Sequence, residues 1–393
     1  MTAKTTGLLS AYDLLKEAAP FFGLDEAAIA PLLNQSRSLA DQLKFAFNTP
    51  TGIPHNDIYI NQTWSQLETN GLATTGSLIL EWNRLSDLTG DPTYGDLASK
   101  AESYLLKPHP SYNVPFPGLL GTKIDIESGY FLDAAGGWNG GDDSYYEYLI
   151  KMYVYDPVRF VNYRDAWIEA ADSSIKFLAS HPSGRSDVTF LAAYANQTIL
   201  PFGTHLGCFA GGNFLLGGEV LGRKDYVDFG LELVNGCHET YNATTTGIGP
   251  EVFSWNNTDL ASHEESFYKD HGFWIEKAKY VLRPEVIESY YYAYRVTGNP
   301  VYQEWAWDAF LAIDRTCRVD RGYSSISNVD KADGGEILDE QESFLFAEVM
   351  KYSYMIQAED APWQVNYKGR GVGRNDFVYN TEAHPLRVAR QGT

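Results

Sequence analysis

The chain has 393 residues, with 51 Asp plus Glu against 30 Lys plus Arg, a formal charge of −21 at pH 7, and 27 Tyr, 20 Phe and 9 Trp. A surface this acidic repels phosphates and argues against a nucleic-acid binder. A hydrophobic content of 44% with 14% aromatics is ample for a packed core and argues against disorder. The longest apolar stretches, Thr75 to Trp82 and Cys208 to Gly218, are short and glycine-interrupted, far from the ~18 residues that a membrane helix needs.

In chain order, Met1 to Leu15 (MTAKTTGLLSAYDLL) has no basic region leading into an apolar stretch and no small-residue cleavage site, so it does not read as a signal peptide. A helix rich in Ser, Tyr and Leu begins at Gly7 (GLLSAYDLLKEA), followed by an amphipathic helix over Asp25 to Ala46 and a turn cluster at Thr49 to Pro54. The same alternation returns with TGSLILEWNRLSDLTG from Thr75, a second amphipathic helix over Tyr94 to Leu106 and a turn cluster at Pro108 to Pro117. It returns again with DDSYYEYLIKMYVY from Asp142 and an amphipathic helix over Arg159 to Ala179. Three further Ser/aromatic or small-residue helices start at His205 (HLGCFAGGNFLLGGEVLG), Pro284 (PEVIESYYYAYRVTG) and Glu340 (EQESFLFAEVMKYSY).

These six starts lie roughly 55 to 80 residues apart, room for a pair of helices and their connections, so the chain reads as a helix-pair repeat. The intervening helices carry a charged face for solvent. The Ser/aromatic helices have almost none, so both of their sides must be covered, as in a closed ring of inner and outer helices. No linker divides the sequence, which reads as one domain over residues 1–393.

Three of the inner-type starts share an acid-Ser-aromatic run: Asp143-Ser144-Tyr145, Glu288-Ser289-Tyr290 and Glu342-Ser343-Phe344. Each alone is explained by the preference for carboxylates in a first helical turn. Together at one mouth of a ring they would form a carboxylate cluster beside aromatic faces, a surface suited to a carbohydrate. Cys208, Cys237 and Cys317 are too few for a disulfide scaffold and lack zinc spacing, leaving one bridge and one thiol as the simplest assignment. Asn-x-Ser/Thr triplets at Asn34, Asn61, Asn196, Asn242 and Asn256 lean towards the secretory pathway.

Six segments in order carry a resemblance: DSYYEYLIK at Asp143, HLGCF at His205, GIGPEVF at Gly247, LRPEVIES at Leu282, ESFLFAEVMKY at Glu342 and NTEAHPL at Asn380, supported by TPTGIPHND at Thr49 and LSDLTGDPTY at Leu85. From Gly7 onward the chain resembles the class I α-1,2-mannosidases of glycoside hydrolase family 47, in the fungal secreted or Golgi form. The resemblance implies an all-α fold, an (α/α)7 barrel of inner and outer helices plugged by a β-hairpin. Six inner helices against seven imply that about the first helix pair is missing. The family's Phe-Glu-x-x-Ile-Arg motif, which supplies a general-acid Glu, has no counterpart in Met1 to Thr6.

The implied activity is calcium-dependent, inverting hydrolysis of terminal α-1,2-linked mannose from high-mannose N-glycans; the alternative is a lectin-like member that binds such glycans without efficient cleavage. Inversion needs an acid and a base about 6.5 to 9.5 Å apart. By resemblance Glu285 is the base and Asp143 the second essential carboxylate, with Glu251 and His205 also at catalytic positions. Arg283, Glu288, Phe344, Glu348 and Glu382 would bind substrate, Arg283 by hydrogen bonds and Phe344 by stacking. Thr381 would ligate Ca2+ through its carbonyl and hydroxyl, with Glu285, Glu288, Glu348 and Glu382 orienting the ion's waters. Cys208 and Cys237 would form the disulfide, leaving Cys317 free. Gly141, where the endoplasmic-reticulum type has Arg, implies a roomier site. The expected partner is a high-mannose glycan or glycoprotein, with no nucleic acid and no cofactor besides calcium, bound by a monomer in the secretory pathway or outside the cell.

Overall fold

The structure is a computed structural model that describes residues 2–59, 69–258, 260–262, 264–368 and 373–389. Asn61 lies outside the described residues. Its helices in order are α1 (Thr2–Phe22), α2 (Glu26–Leu43), α3 (Leu72–Gly76), α4 (Ile79–Thr89), α5 (Thr93–Leu105), α6 (Asp143–Tyr155), α7 (Val161–Ser173), α8 (Phe209–Leu221), α9 (Lys224–Asn242), α10 (Glu265–His271), α11 (Glu285–Thr297), α12 (Val301–Cys317) and α13 (Met350–Gln357). The chain divides into two compact units. One comprises residues 1–136, 144–170 and 375–393, and the other residues 137–143 and 171–374.

In the first unit α1 packs on α2 and on α4, and α4 on α5. Asp25 caps α2 by accepting the Ala28 N–H at 2.8 Å. α4 is buried along Ile79 to Leu85, polar residues included. Burying Glu81, Asn83 and Arg84 requires partners. The Arg84 guanidinium pairs with Asp13 of α1, its Nε 2.9 Å from Oδ2, and Asn83 donates to the Ile79 carbonyl at 2.8 Å. An antiparallel hairpin, Phe377–Tyr379 with Pro385–Arg387, packs its second strand against α1.

In the second unit α8 packs against both α9 and α11, and α11 against α12 and α13. The glycines of α8 explain how one helix serves two neighbours. A Cβ on Gly211 would meet Val234 at 2.8 Å on the α9 side, and one on Gly212 would meet Tyr292 at 2.8 Å on the α11 side. Ser289 of α11 uses the same proximity, donating to the Cys208 carbonyl at 2.5 Å and accepting the Gly212 N–H at 2.9 Å. The Cys208–Cys237 disulfide ties the start of α8 to α9 across 29 residues, and Cys317 is a free buried thiol.

The helix-pair reading matches this order, with two differences. The helix expected from Glu340 begins only at a π turn over Leu345–Val349, because the Glu340 carbonyl is engaged by the Ser325 N–H at 2.8 Å. Short strands, which the sequence pattern did not announce, fill the connections. Phe202–Thr204, Val252–Ser254 and Trp274–Lys277 form a three-stranded antiparallel sheet. It lies on a cluster of Val188, Phe190, Phe253, Trp255 and Phe273, in which Phe190 stacks on Trp255 at 4.8 Å.

Candidate active site

The second unit brings Asp143, His205, Glu251, Arg283, Glu285, Glu288, Phe344 and Glu348 together in one compact body. Leu282 is the hinge of the arrangement. It is fully buried yet holds φ +61, a left-handed conformation costly for a side chain of this kind. The chain turns there, and Tyr280 Oη fixes the result by donating to the Arg283 carbonyl at 2.9 Å. Pro284 then precedes Glu285, the first residue of α11, where the unpaired N–H groups and the dipole favour a carboxylate.

Glu285 and His205 are both buried. His205 Nδ1 lies 2.7 Å from Glu285 Oε2, and His205 Nε2 lies 2.8 Å from Tyr241 Oη. The His205 N–H donates to the Glu251 carbonyl at 3.0 Å, and the Glu251 N–H to the Lys279 carbonyl at 2.9 Å, which fastens these loops side by side. Glu285 Oε1 receives no hydrogen bond from the described residues.

Arg283 forks onto Glu251, with Nε 2.8 Å from Oε2 and Nη2 2.6 Å from Oε1. Burial alone would raise the Glu251 carboxyl, but the hydrogen bonds and charge of Arg283 outweigh it and hold it below the usual carboxylate range. A carboxylate held this way accepts protons poorly and donates none. The guanidinium carbon lies 5.9 Å from the Phe344 ring. Asp143, half-buried, also contributes to the field that keeps Arg283 charged. One turn into α11, Glu288 accepts from Tyr352 Oη at 3.0 Å. Glu348, buried in the π turn, stands one turn before Tyr352.

The first unit contains Thr381 and Glu382, on the turn that joins the hairpin strands. Ala383 at φ +55 closes the turn. Asn380, with no exposed surface, organises it: Oδ1 accepts the N–H groups of Glu382 (3.1 Å) and His384 (2.8 Å), and Nδ2 donates to Glu81 Oε1 at 3.0 Å. The Thr381 N–H points to Tyr148 Oη at 3.3 Å, and that phenol donates to the same Glu81 oxygen at 2.6 Å. Burial pushes the Glu81 carboxyl up to about 7, against the lowering effect of hydrogen bonds from Tyr148, Asn380 and Thr6. The hydroxyl and carbonyl of Thr381 form no hydrogen bond with the described residues, which leaves two adjacent oxygens available to a hard cation. No group of three or more His, Cys, Asp or Glu is placed to hold a metal among the described residues.

A model of glycosyl hydrolase family 47 matches residues 5–388. The chain belongs to this family. It is therefore a glycosidase by descent. The family 47 chain is 58% identical over 385 residues to a mannosyl-oligosaccharide α-1,2-mannosidase of Penicillium citrinum, covering 98% of this chain and 75% of the relative. It is also 58% identical over 384 residues to mannosyl-oligosaccharide α-1,2-mannosidase 1B of Aspergillus phoenicis, covering 98% and 74%. The solved structure of an α-1,2-mannosidase from Trichoderma reesei superposes with a TM-score of 0.94 at 47% identity, over 98% of this chain and 80% of that one. The predominantly α-helical fold thus matches the (α/α) barrel of the family. Among the described residues no helix is long and apolar enough to cross a membrane.

Proposed function

We propose that the protein hydrolyses terminal α-1,2-linked mannose from high-mannose N-glycans with inversion, using Glu285 as the base. The observation that carries this reading is the Glu285 carboxylate itself: Oε2 is taken by His205 and Oε1 is left to accept a proton from water. As the water oxygen bonds to the anomeric carbon, its proton passes to Oε1. The bond to the leaving oxygen breaks on the opposite face, where that oxygen takes a proton from an acid. Asp143, acting through a water or directly, is the second carboxylate of this scheme. Arg283, held rigid by Glu251, and the Phe344 ring orient the sugar by hydrogen bonding and stacking, and Glu288 and Glu348 accept from its hydroxyls.

Calcium fits the Thr381 turn. Two oxygens from one Thr leave most of a six- to eight-oxygen shell for water and ligand. When bound, the ion would accept hydroxyl oxygens of a terminal mannose and fix its orientation. Tyr148, Glu81 and Asn380 fix the backbone of this turn, and Glu382 follows on it.

The disulfide and the exposed sequon residues Asn34, Asn196 and Asn242 support passage through the secretory pathway. The test is incubation with a high-mannose glycan, with calcium or with a chelator, while NMR follows the anomer released. Calcium-dependent appearance of β-mannose first is expected. Release of α-mannose first would overturn inversion. Calcium-dependent binding without release would favour the lectin-like reading.

A further inference from the structure

We propose that Tyr241 is a positioning residue for the base, holding His205 in the tautomer that donates Nδ1–H to Glu285. The inference rests on Glu285 being the base and extends it to a residue that never meets the sugar. A neutral imidazole has one donor and one acceptor. With Glu285 acting as the base, its oxygen 2.7 Å away can only accept, so Nδ1 carries the hydrogen. Nε2 is then the acceptor, and its partner at 2.8 Å must donate; that partner is the Tyr241 phenol. Burial keeps this phenol protonated, since its ionisation is pushed well above the ordinary range.

The position of the phenol is set from three sides. Cys237 and Tyr241 stand one turn apart on α9, while His205 and Cys208 stand one turn apart at the entrance to α8. The disulfide and the Tyr241–His205 hydrogen bond are thus parallel clamps between the same two segments. Gly249, two residues before Glu251, supplies the third side: a Cβ there would lie 2.6 Å from Tyr241 Cε2. The imidazole itself lies between the Tyr241 and Tyr280 rings, at 5.7 and 5.6 Å. Without the phenolic hydrogen only the Glu285 contact holds the tautomer, the Nε2 lone pair is left buried without its donor, and a hydrogen on Nε2 would turn a lone pair towards Glu285 Oε2.

The test compares the wild type with Tyr241→Phe in protein labelled with 15N-histidine. The wild type is expected to show His205 as the Nδ1–H tautomer. The variant is expected to populate Nε2–H and to lose about 10- to 100-fold in kcat, by analogy with the loss when the hydrogen-bond partner of a metal-ligating histidine is removed, with KM unchanged. Gly249→Ala, which crowds the ring while keeping the phenol, is expected to move the same histidine signal in the same direction. A wild-type spectrum with Nε2–H would overturn the proposal from the unmodified protein alone, whatever the variants do. So would a Tyr241→Phe enzyme that loses kcat with the tautomer unchanged. If Glu285→Gln keeps full activity, the base reading fails instead, and the tautomer measurement tells the two failures apart.

Discussion

Arg283 meets Glu251 edge to edge, two parallel hydrogen bonds of 2.8 and 2.6 Å joining the residue before Pro284 to the Gly-Pro-Glu loop. Both side chains are largely buried, at 18% and 13% exposure. Each is therefore the main compensation for the other's charge, and neither can be removed without stranding its partner. Arg283→Lys keeps the charge and loses the fork. We expect kcat/KM on a high-mannose glycan to fall by about 10- to 100-fold, with Glu251→Gln falling by a similar factor. The double variant should lose little more than either single one, because the two residues act as a unit. Strictly additive losses in that cycle would show that Glu251 acts independently of Arg283.

Glu81 makes stability depend on pH in the direction opposite to a salt-bridged acid. Its carboxyl is raised by burial from 4.5 to about 7. Between these values the folded chain holds a proton that the unfolded chain has released, so stability falls as pH rises through this window. The full effect is about 3 kcal/mol, reached above pH 7 and absent below about 4.5. Glu81→Gln imitates the protonated acid and should be more stable than the wild type at pH 8 but not at pH 4.5. Urea unfolding of both proteins at the two pH values measures the difference. A constant difference would mean that the folded Glu81 carboxyl loses its proton at the same pH as in the unfolded chain.

Glu81 also shows what could be read beforehand. A carboxylate in ILEWNRL, on a helix with no solvent face, announces a buried polar group in need of partners; that signal was present in the sequence. Its partners were not, because Asn380 lies 299 residues away and Tyr148 67 residues away. The same distinction runs through the second unit. The all-round burial of α8 and α11 follows from their composition, and the disulfide, Glu285, Arg283 and His205 follow from motif resemblance. Tyr241, in an ordinary HETYN stretch at the end of an amphipathic helix, carries no local mark; only the packing of α9 on α8 brings it to His205. The connecting strands were missed for a similar reason, since two or three residues are too few for a period-two pattern.

The single disulfide should act as a stability element with predictable redox behaviour. It closes 29 residues, worth about 3 kcal/mol by loop entropy. Cys317 is fully buried and its thiol is pushed up to about 12 by that burial, so it offers almost no thiolate to attack the bridge. Alkylation of the native protein at pH 8 should leave Cys317 unmodified, and unfolding without reductant should expose one thiol only. Cys237→Ser should lower the urea midpoint accordingly. Because the bridge runs parallel to the Tyr241–His205 hydrogen bond, this variant should lose activity at temperatures where it is still folded.

Leu282 allows a test of the strained turn that aims Arg283 and Glu285. Ala and Gly at this site remove nearly the same buried side chain, so both leave a cavity and both destabilise, by about 2 to 5 kcal/mol. Elsewhere Gly would be the worse of the two, by about 0.5 to 1 kcal/mol of extra unfolded-state entropy. At φ +61 the order should change. Ala keeps the Cβ that makes a left-handed backbone cost about 1 to 2 kcal/mol, whereas Gly does not. Leu282→Gly is therefore expected to be at least as stable as Leu282→Ala in urea unfolding. It should also retain more kcat, since the backbone that sets the Glu285 carboxylate against His205 is kept without strain. If Leu282→Ala is the more stable by the usual margin, the turn has relaxed out of the left-handed region and the strain does not direct the base.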